Sequence, residues 1–99
     1  MPTEAEVLDV LKEVDDPEIG VNVVDLGLVY GVDIRAGGEI EVQMTLTAPG
    51  CPMSGTISRT AEMAIETLDG VTRAHVAIVW DPPWTPDRLT DEGRRLLGF

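Results

Sequence analysis

The chain has 99 residues and a formal net charge of -11, from 18 acidic and 7 basic residues. This length suits one domain, 1–99, with a modest core and no second lobe. The acidity argues against nucleic acid as a binding partner, since its phosphates bind basic side chains. The sequence has neither an apolar run long enough to span a bilayer nor a basic segment followed by an apolar stretch. We therefore expect no membrane span, no signal peptide and a cytoplasmic location.

The first half of the chain predicts a helix followed by a β-hairpin. Thr3 and Glu6 form a capping-box pattern, and apolar residues at helical spacing follow, so we expect a helix over 3–14. From residue 28, apolar and polar residues alternate on both sides of a glycine-rich turn at 36–38, as in two paired strands. The apolar positions are Leu28, Tyr30, Val32, Ile34, Ile40, Val42, Met44 and Leu46. The opposite face, which we expect to meet water or a partner subunit, includes Glu39, Glu41, Gln43, Thr45 and Thr47.

The second half predicts a helix, a third strand and a short last helix. Helical spacing of apolar residues covers 53–68, and an alternating run covers 71–80. Because a helix separates the second and third strands, we expect them to run parallel. Thr90 and Asp91 begin the last helix. The predicted fold is α+β, a two-layer sandwich with a small three-stranded mixed sheet and helices on one face, in the order α-β-β-α-β-α.

Three side chains near the third strand have predicted environments. His75, the only histidine, alternates with apolar neighbours, so we interpret it as a solvated strand residue. Trp80 continues the apolar positions of the same strand, which indicates core packing. Trp84 lies in a proline-rich turn and is the better candidate for a partner contact.

Cys51 is the only cysteine and lies between a strand-like run and a helix-like run. If the helix begins at Pro52, Cys51 is its N-cap, and the amides and dipole of the first turn favour the thiolate over the thiol. The alternative is a small buried apolar residue without chemistry. A single cysteine forms no internal disulfide, which agrees with a reducing compartment.

Three segments of the chain carry a family resemblance. They are the stretch from Asp16-Pro17-Glu18-Ile19-Gly20 through Val24-Asp25-Leu26-Gly27-Leu28-Val29-Tyr30, then Leu46-Thr47-Ala48-Pro49-Gly50-Cys51-Pro52, and Trp80-Asp81-Pro82-Pro83-Trp84. Together they closely resemble the metal-sulfur cluster biosynthetic proteins, the SufT-like and PaaD-like group of the iron-sulfur cluster assembly domain family. The resemblance implies an α+β domain that helps to mature iron-sulfur proteins, as a carrier or an adaptor.

The resemblance also implies a set of site residues. The cofactor-binding positions carried over are Asp16, Glu18, Asp25, Thr47 and Cys51, with Cys51 as the metal ligand. Many members of the family have a second hydroxyl residue after the matching threonine, whereas this chain has Ala48. Asp16 and Asp25 could instead shape a turn or cap a helix, since aspartate does so often, and Glu18 could be a solvated side chain.

One cysteine limits the mechanism, because iron-sulfur clusters usually have four protein ligands, most of them thiolates. The first hypothesis is a transient carrier, in which Cys51 binds a cluster or iron and passes it to client apo-proteins. A homodimer could bridge a cluster with two such thiols. Iron-sulfur scaffold or carrier proteins would be further partners. The second is a non-catalytic adaptor that docks clients to a separate cluster scaffold. A thiol enzyme is a weaker third interpretation, since no second cysteine is present to resolve an oxidised thiol. We therefore expect that this protein is not an enzyme.

Overall fold

The structure is a computed structural model that describes residues 2–17, 19–47 and 54–98. The helices are α1 (Glu4–Leu11), α2 (Ser54–Glu66) and α3 (Asp91–Leu97), and the strands are β1 (Val29–Arg35), β2 (Glu39–Met44) and β3 (Arg73–Ile78). The predicted α+β class and element order are confirmed. No helix in the described ranges has the length and apolar character needed to cross a membrane.

The helices are shorter than their sequence patterns. The Thr3 hydroxyl accepts a hydrogen bond from the Glu6 N–H, and the Glu6 carboxylate accepts one from the Thr3 N–H, so the predicted capping box is present. After Leu11, the N–H groups of Glu13 and Val14 bond to carbonyls three residues earlier. The chain therefore tightens into turns, and α1 ends three residues before the predicted boundary at 14.

The sheet has the strand order β1-β2-β3. A turn at 36–38 joins β1 to its antiparallel neighbour β2, and β3 runs parallel to β2 after the α2 connection, as predicted. Helices α1 and α2 contact each other, α1 also contacts β1, and α2 contacts β3. The core between them contains fully buried side chains from both layers, including Val7, Leu11, Val42, Met44 and Ile65.

Tyr30 departs from the predicted alternation. Val32 lies opposite Val42 as the pattern requires, but the register then shifts, so that Val29 rather than Tyr30 lies opposite Met44. Tyr30 is the extra residue of a β-bulge, which changes the face that the strand presents from that point. Its hydroxyl donates to the carbonyl of Pro82 at 2.7 Å, so the tyrosine contacts the C-terminal part of the chain.

Thr45 contradicts the prediction of a polar, open sheet face along its full length. Its side chain is fully buried, although Met44 and Leu46 on either side of it are also buried. Because successive residues of an extended chain point to opposite faces, both faces are covered at this end of the sheet. The Thr45 Oγ1 finds no hydrogen-bond partner within the described part of the chain. Glu39 remains exposed at the other end, as expected.

The two tryptophans exchange their predicted environments. The strand ends at Ile78, so its alternation does not extend to Trp80, whose side chain is 43% exposed. Trp84 is half-buried against the core, and its indole N–H donates to the carbonyl of Leu26 at 2.6 Å. The prediction of a buried Trp80 was therefore wrong, and the partner contact of Trp84 stays a prediction.

His75 is an exposed strand residue, as predicted, with 57% of its side chain accessible. Its Nδ1 lies 3.8 Å from Oε2 of Glu62 on α2. The same carboxylate oxygen accepts a hydrogen bond from the backbone N–H of Val76, at 2.9 Å. Since β3 is an edge strand, the Glu62 side chain gives the Val76 N–H a hydrogen-bond partner that an exposed edge would otherwise lack.

Two adjacent glycines of the hairpin turn test how closely this turn packs against Gly70. Gly37 and Gly38 both have a positive φ, 82° and 81°, but only at Gly38 would a Cβ overlap the backbone, at the carbonyl oxygen of Gly70. We expect both alanine substitutions to cost the strain of a left-handed residue, about 1–2 kcal/mol. Gly38→Ala should lose about 1–3 kcal/mol more, because the turn must move away from Gly70. Urea unfolding of both variants measures the difference, and equal losses would contradict the close approach.

Candidate functional site

The first predicted site residue, Asp16, closes a turn between α1 and β1. Its side chain is 3% exposed. Its N–H donates to the carbonyl of Val21, and its carbonyl accepts from the N–H groups of Ile19 and Gly20. The Oδ1 atom also accepts from the Ile19 N–H at 3.3 Å. Asp16 therefore shapes the turn that carries the Asp-Pro-Glu motif, whose Glu18 lies outside the described residues.

The second, Asp25, is 7% exposed and has a partner at each carboxylate oxygen. The side-chain amide of Asn22 donates to Oδ2 at 2.7 Å, and the Thr90 hydroxyl donates to Oδ1 at 2.7 Å. Asn22 Oδ1 also accepts from the Asp25 N–H at 2.9 Å. A buried carboxylate is tolerated only with such partners.

These hydrogen bonds change the acidity of the group. The bond from Asn22 is the largest cause that keeps the pKa of Asp25 below its ordinary value; burial acts in the opposite direction, while Thr90 and the charge of Lys12 lower the pKa further. Asp25 is thus held as the carboxylate, because its surroundings favour the charged form.

Asp25 also anchors the C-terminal strap, by which we mean residues 79–98. Its carbonyl accepts from the Thr90 N–H at 3.0 Å, and the Thr90 hydroxyl caps α3 by accepting from the Gly93 N–H at 3.0 Å. A Cβ at Gly93 would overlap the Asp25 carbonyl oxygen, and one at Gly27 would overlap that of Arg88. The strap therefore lies directly on the loop that leads into β1.

Thr90 and Asn22 were not among the predicted site residues. An asparagine three residues before an aspartate is a local signal that sequence can supply, since such side chains bond to nearby backbone groups. Thr90 lies 65 positions from Asp25. Its pattern predicted a helix start, and only the folded chain shows that the same hydroxyl bonds to Asp25.

The remaining predicted positions, Thr47 and Cys51, follow β2 in the sequence. Thr47 is half-buried and follows the buried Leu46. Cys51 and the proposed cap of the next helix fall outside the described residues, and α2 is described from Ser54. Among the residues that are described, no three His, Cys, Asp or Glu side chains form a group that could hold a metal ion. The ligand roles of Asp16, Glu18, Asp25, Thr47 and Cys51 stay predictions.

The Asp25 site makes stability depend on pH. The unfolded chain takes up a proton near its ordinary pKa of about 3.9, whereas the folded chain does so only at lower pH. The contribution of Asp25 is therefore complete above that value and is lost as the pH falls through the folded pKa. We expect Asp25→Asn to lower the unfolding free energy at pH 7 by about 1.5–3 kcal/mol, and to flatten its decline below pH 4.

The matched control for this prediction is Asp69→Asn, at an exposed carboxylate. Urea unfolding between pH 7 and pH 3 measures all three proteins. A decline below pH 4 that is equally steep in wild type and Asp25→Asn would contradict the assignment, as would an equal effect of the control.

Comparison with known proteins places the chain in a family. Residues 4–76 match the family model described as iron-sulfur cluster assembly protein. An Fe-S protein maturation auxiliary factor of Porphyromonas gingivalis is 41% identical, over 100% of this chain and 94% of that protein. The Fe-S protein maturation auxiliary factor SufT of Staphylococcus aureus is 40% identical, over 84% of this chain and 94% of that protein.

A solved structure agrees with these matches. The crystal structure of a domain of unknown function from Bacillus anthracis has a TM-score of 0.91 and 36% identity, and the match covers 97% of this chain and 92% of that one. The resemblance carried by the three sequence motifs is thereby confirmed. The chain belongs to the iron-sulfur cluster assembly protein family.

Proposed function

We propose that this protein is a maturation factor for iron-sulfur proteins, which binds a cluster or iron transiently through Cys51 and delivers it to apo-proteins. The observation that carries the proposal is the match, over nearly their whole length, to relatives named as Fe-S protein maturation auxiliary factors. The chain keeps one cysteine, in the segment that carries the family motif. Relatives with these names also favour a protein without an enzymatic step of its own.

The cargo would be weakly held, because one thiolate supplies only a quarter of the usual ligand set. Two copies of Cys51 in a homodimer could bridge a cluster, with small thiols or carboxylates completing the shell. Incomplete protein ligation makes the cluster easy to release. Ready release to an apo-protein is what a carrier needs.

Both buried aspartates of the predicted site already accept hydrogen bonds. Asp16 and Glu18, two positions apart in the Asp-Pro-Glu motif, are the proposed accessory ligands. Asp25 would have to give up its hydrogen bonds to Asn22 and Thr90 before it could bind a metal. We therefore infer that Cys51 is the principal ligand, and that Asp25 supports the site by holding the loop and the strap together.

Anaerobic reconstitution with iron and sulfide tests the carrier. We expect wild type to develop visible absorption and to contain about one cluster per dimer, because a bridging cluster needs two thiolates. Cys51→Ser should show neither property. Visible absorption and native mass spectrometry are the measurements.

The control is His75→Ala, which removes the only histidine of the chain, on the exposed sheet face. We expect it to bind the cluster as wild type does. A cluster of unchanged amount in Cys51→Ser would contradict the proposal, and so would loss of the cluster in His75→Ala.

The adaptor remains the second candidate, and one surface favours it. A cavity of about 130 Å³ opens on the sheet where Arg35, Glu39, Glu41, Arg73 and His75 lie. Charges of both signs on a sheet suit a polar contact with another protein. Full maturation activity of Cys51→Ser in cells without another copy would favour the adaptor over the carrier.

A further inference from the structure

A second cleft, with a volume of about 420 Å³, lies between the start of β1 and the C-terminal strap. We call it the strap groove, and its lining residues are Gly27, Val29, Tyr30, Pro82 and Arg88. Its volume is within the range of sites that hold small ligands or short peptide segments. None of its lining residues is one of the predicted cluster ligands.

Arg88 supplies the positive charge of this groove. Its guanidinium lies 4.5 Å from the centroid of the Tyr30 ring, in a cation-π contact. No ion pair joins Arg88 to a carboxylate in the described ranges, although the chain has 18 acidic residues. Stacking occupies the face of a guanidinium and leaves its N–H groups at the edge, where a carboxylate binds with two parallel hydrogen bonds.

The walls of the groove are held by the fold. The Tyr30 hydroxyl donates to the Pro82 carbonyl at 2.7 Å and thereby joins the bulge of β1 to the strap. Gly27 lies so close to the Arg88 carbonyl that a side chain would not fit between them. Because both walls are in place before any ligand arrives, binding does not have to order them.

The groove borders an edge strand, because β1 is the outermost strand on its side of the sheet. Edge strands bind extended segments through their open backbone groups. At the other edge, the Val76 N–H of β3 already donates a hydrogen bond to the Glu62 carboxylate. The β1 edge, with apolar surface from Val29 and Pro82 beside one arginine, therefore suits an extended segment in which an acidic residue adjoins apolar ones.

We propose that the strap groove docks an extended acidic segment of a partner protein, with a carboxylate on Arg88 and an apolar side chain against Tyr30. Charge complementarity favours this occupant: a chain of net charge -11 repels acidic segments over most of its surface, whereas the groove offers the guanidinium of Arg88 beside apolar surface. The proposal rests on the proposed function in one respect, that the partner gives or receives the cargo.

Nuclear magnetic resonance tests the groove on the full chain without iron. The probe is the blocked peptide acetyl-Thr-Val-Glu-Val-Thr-amide, titrated into nitrogen-15-labelled protein. We expect saturable shifts at Gly27, Val29, Tyr30 and Arg88. Arg88→Gln should raise the dissociation constant about tenfold or more, because it removes a charge-assisted pair. The peptide with Gln in place of Glu should bind wild type as weakly.

The matched control is Arg95→Gln on α3, where an exposed arginine already pairs with Glu92. It should bind the acidic peptide as wild type does. Tyr30→Phe keeps the ring under Arg88 and removes the hydrogen bond to Pro82, so it should weaken binding less than Arg88→Gln. The amide spectrum of each variant reports whether it is folded.

Three results would overturn the proposal: no saturable binding at millimolar peptide, equal binding of the Glu and Gln peptides, or shifts centred on Arg35 and Arg73 instead of the groove. Because the titration contains no iron, it does not depend on cargo binding. The prediction that Cys51→Ser loses the cluster and the prediction that Arg88→Gln loses peptide binding can therefore fail independently.

Discussion

The hydrogen bonds between Asp25 and Thr90 join the C-terminal strap to the loop before β1. Thr90 bonds to both the carboxylate and the carbonyl of Asp25 and at the same time caps α3. Without them the strap would keep only its other contacts with this region, such as the hydrogen bonds from the Trp84 indole to the Leu26 carbonyl and from the Tyr30 hydroxyl to the Pro82 carbonyl. A buried carboxylate also makes this joint sensitive to acid, because its partners stabilise only the charged form.

The joint has a consequence for the family site. The family model matches residues 4–76, whereas Thr90 lies beyond it in the strap. An aspartate of the family motif is therefore held by a residue outside the matched segment. Asp16 likewise serves the turn in which it lies. Both carboxylates have structural tasks, which leaves the thiol of Cys51 as the principal ligand for the cargo in our proposal.

The two edges of the sheet differ in what they offer a partner. At β3, the Glu62 carboxylate accepts a hydrogen bond from the Val76 N–H and lies near His75. Part of the hydrogen-bonding capacity of this edge is therefore already used within the chain. At β1, the bulge turns Tyr30 toward the strap, where its ring supports Arg88. In our proposals cargo binding depends on Cys51 and partner docking depends on Arg88, so a variant of one residue tests one proposal.

Local patterns in the sequence determined the element order, the parallel pairing of β2 with β3, the caps at Thr3 and Thr90, and the family. These depend on neighbouring residues, on the period of apolar positions, or on a helix between two strands. The partner of Asp25, the bulge at Tyr30 and the exchange between Trp80 and Trp84 were decided only by the tertiary structure. Each depends on contacts between residues distant in sequence, and a one-residue shift in pairing reverses which face a side chain occupies.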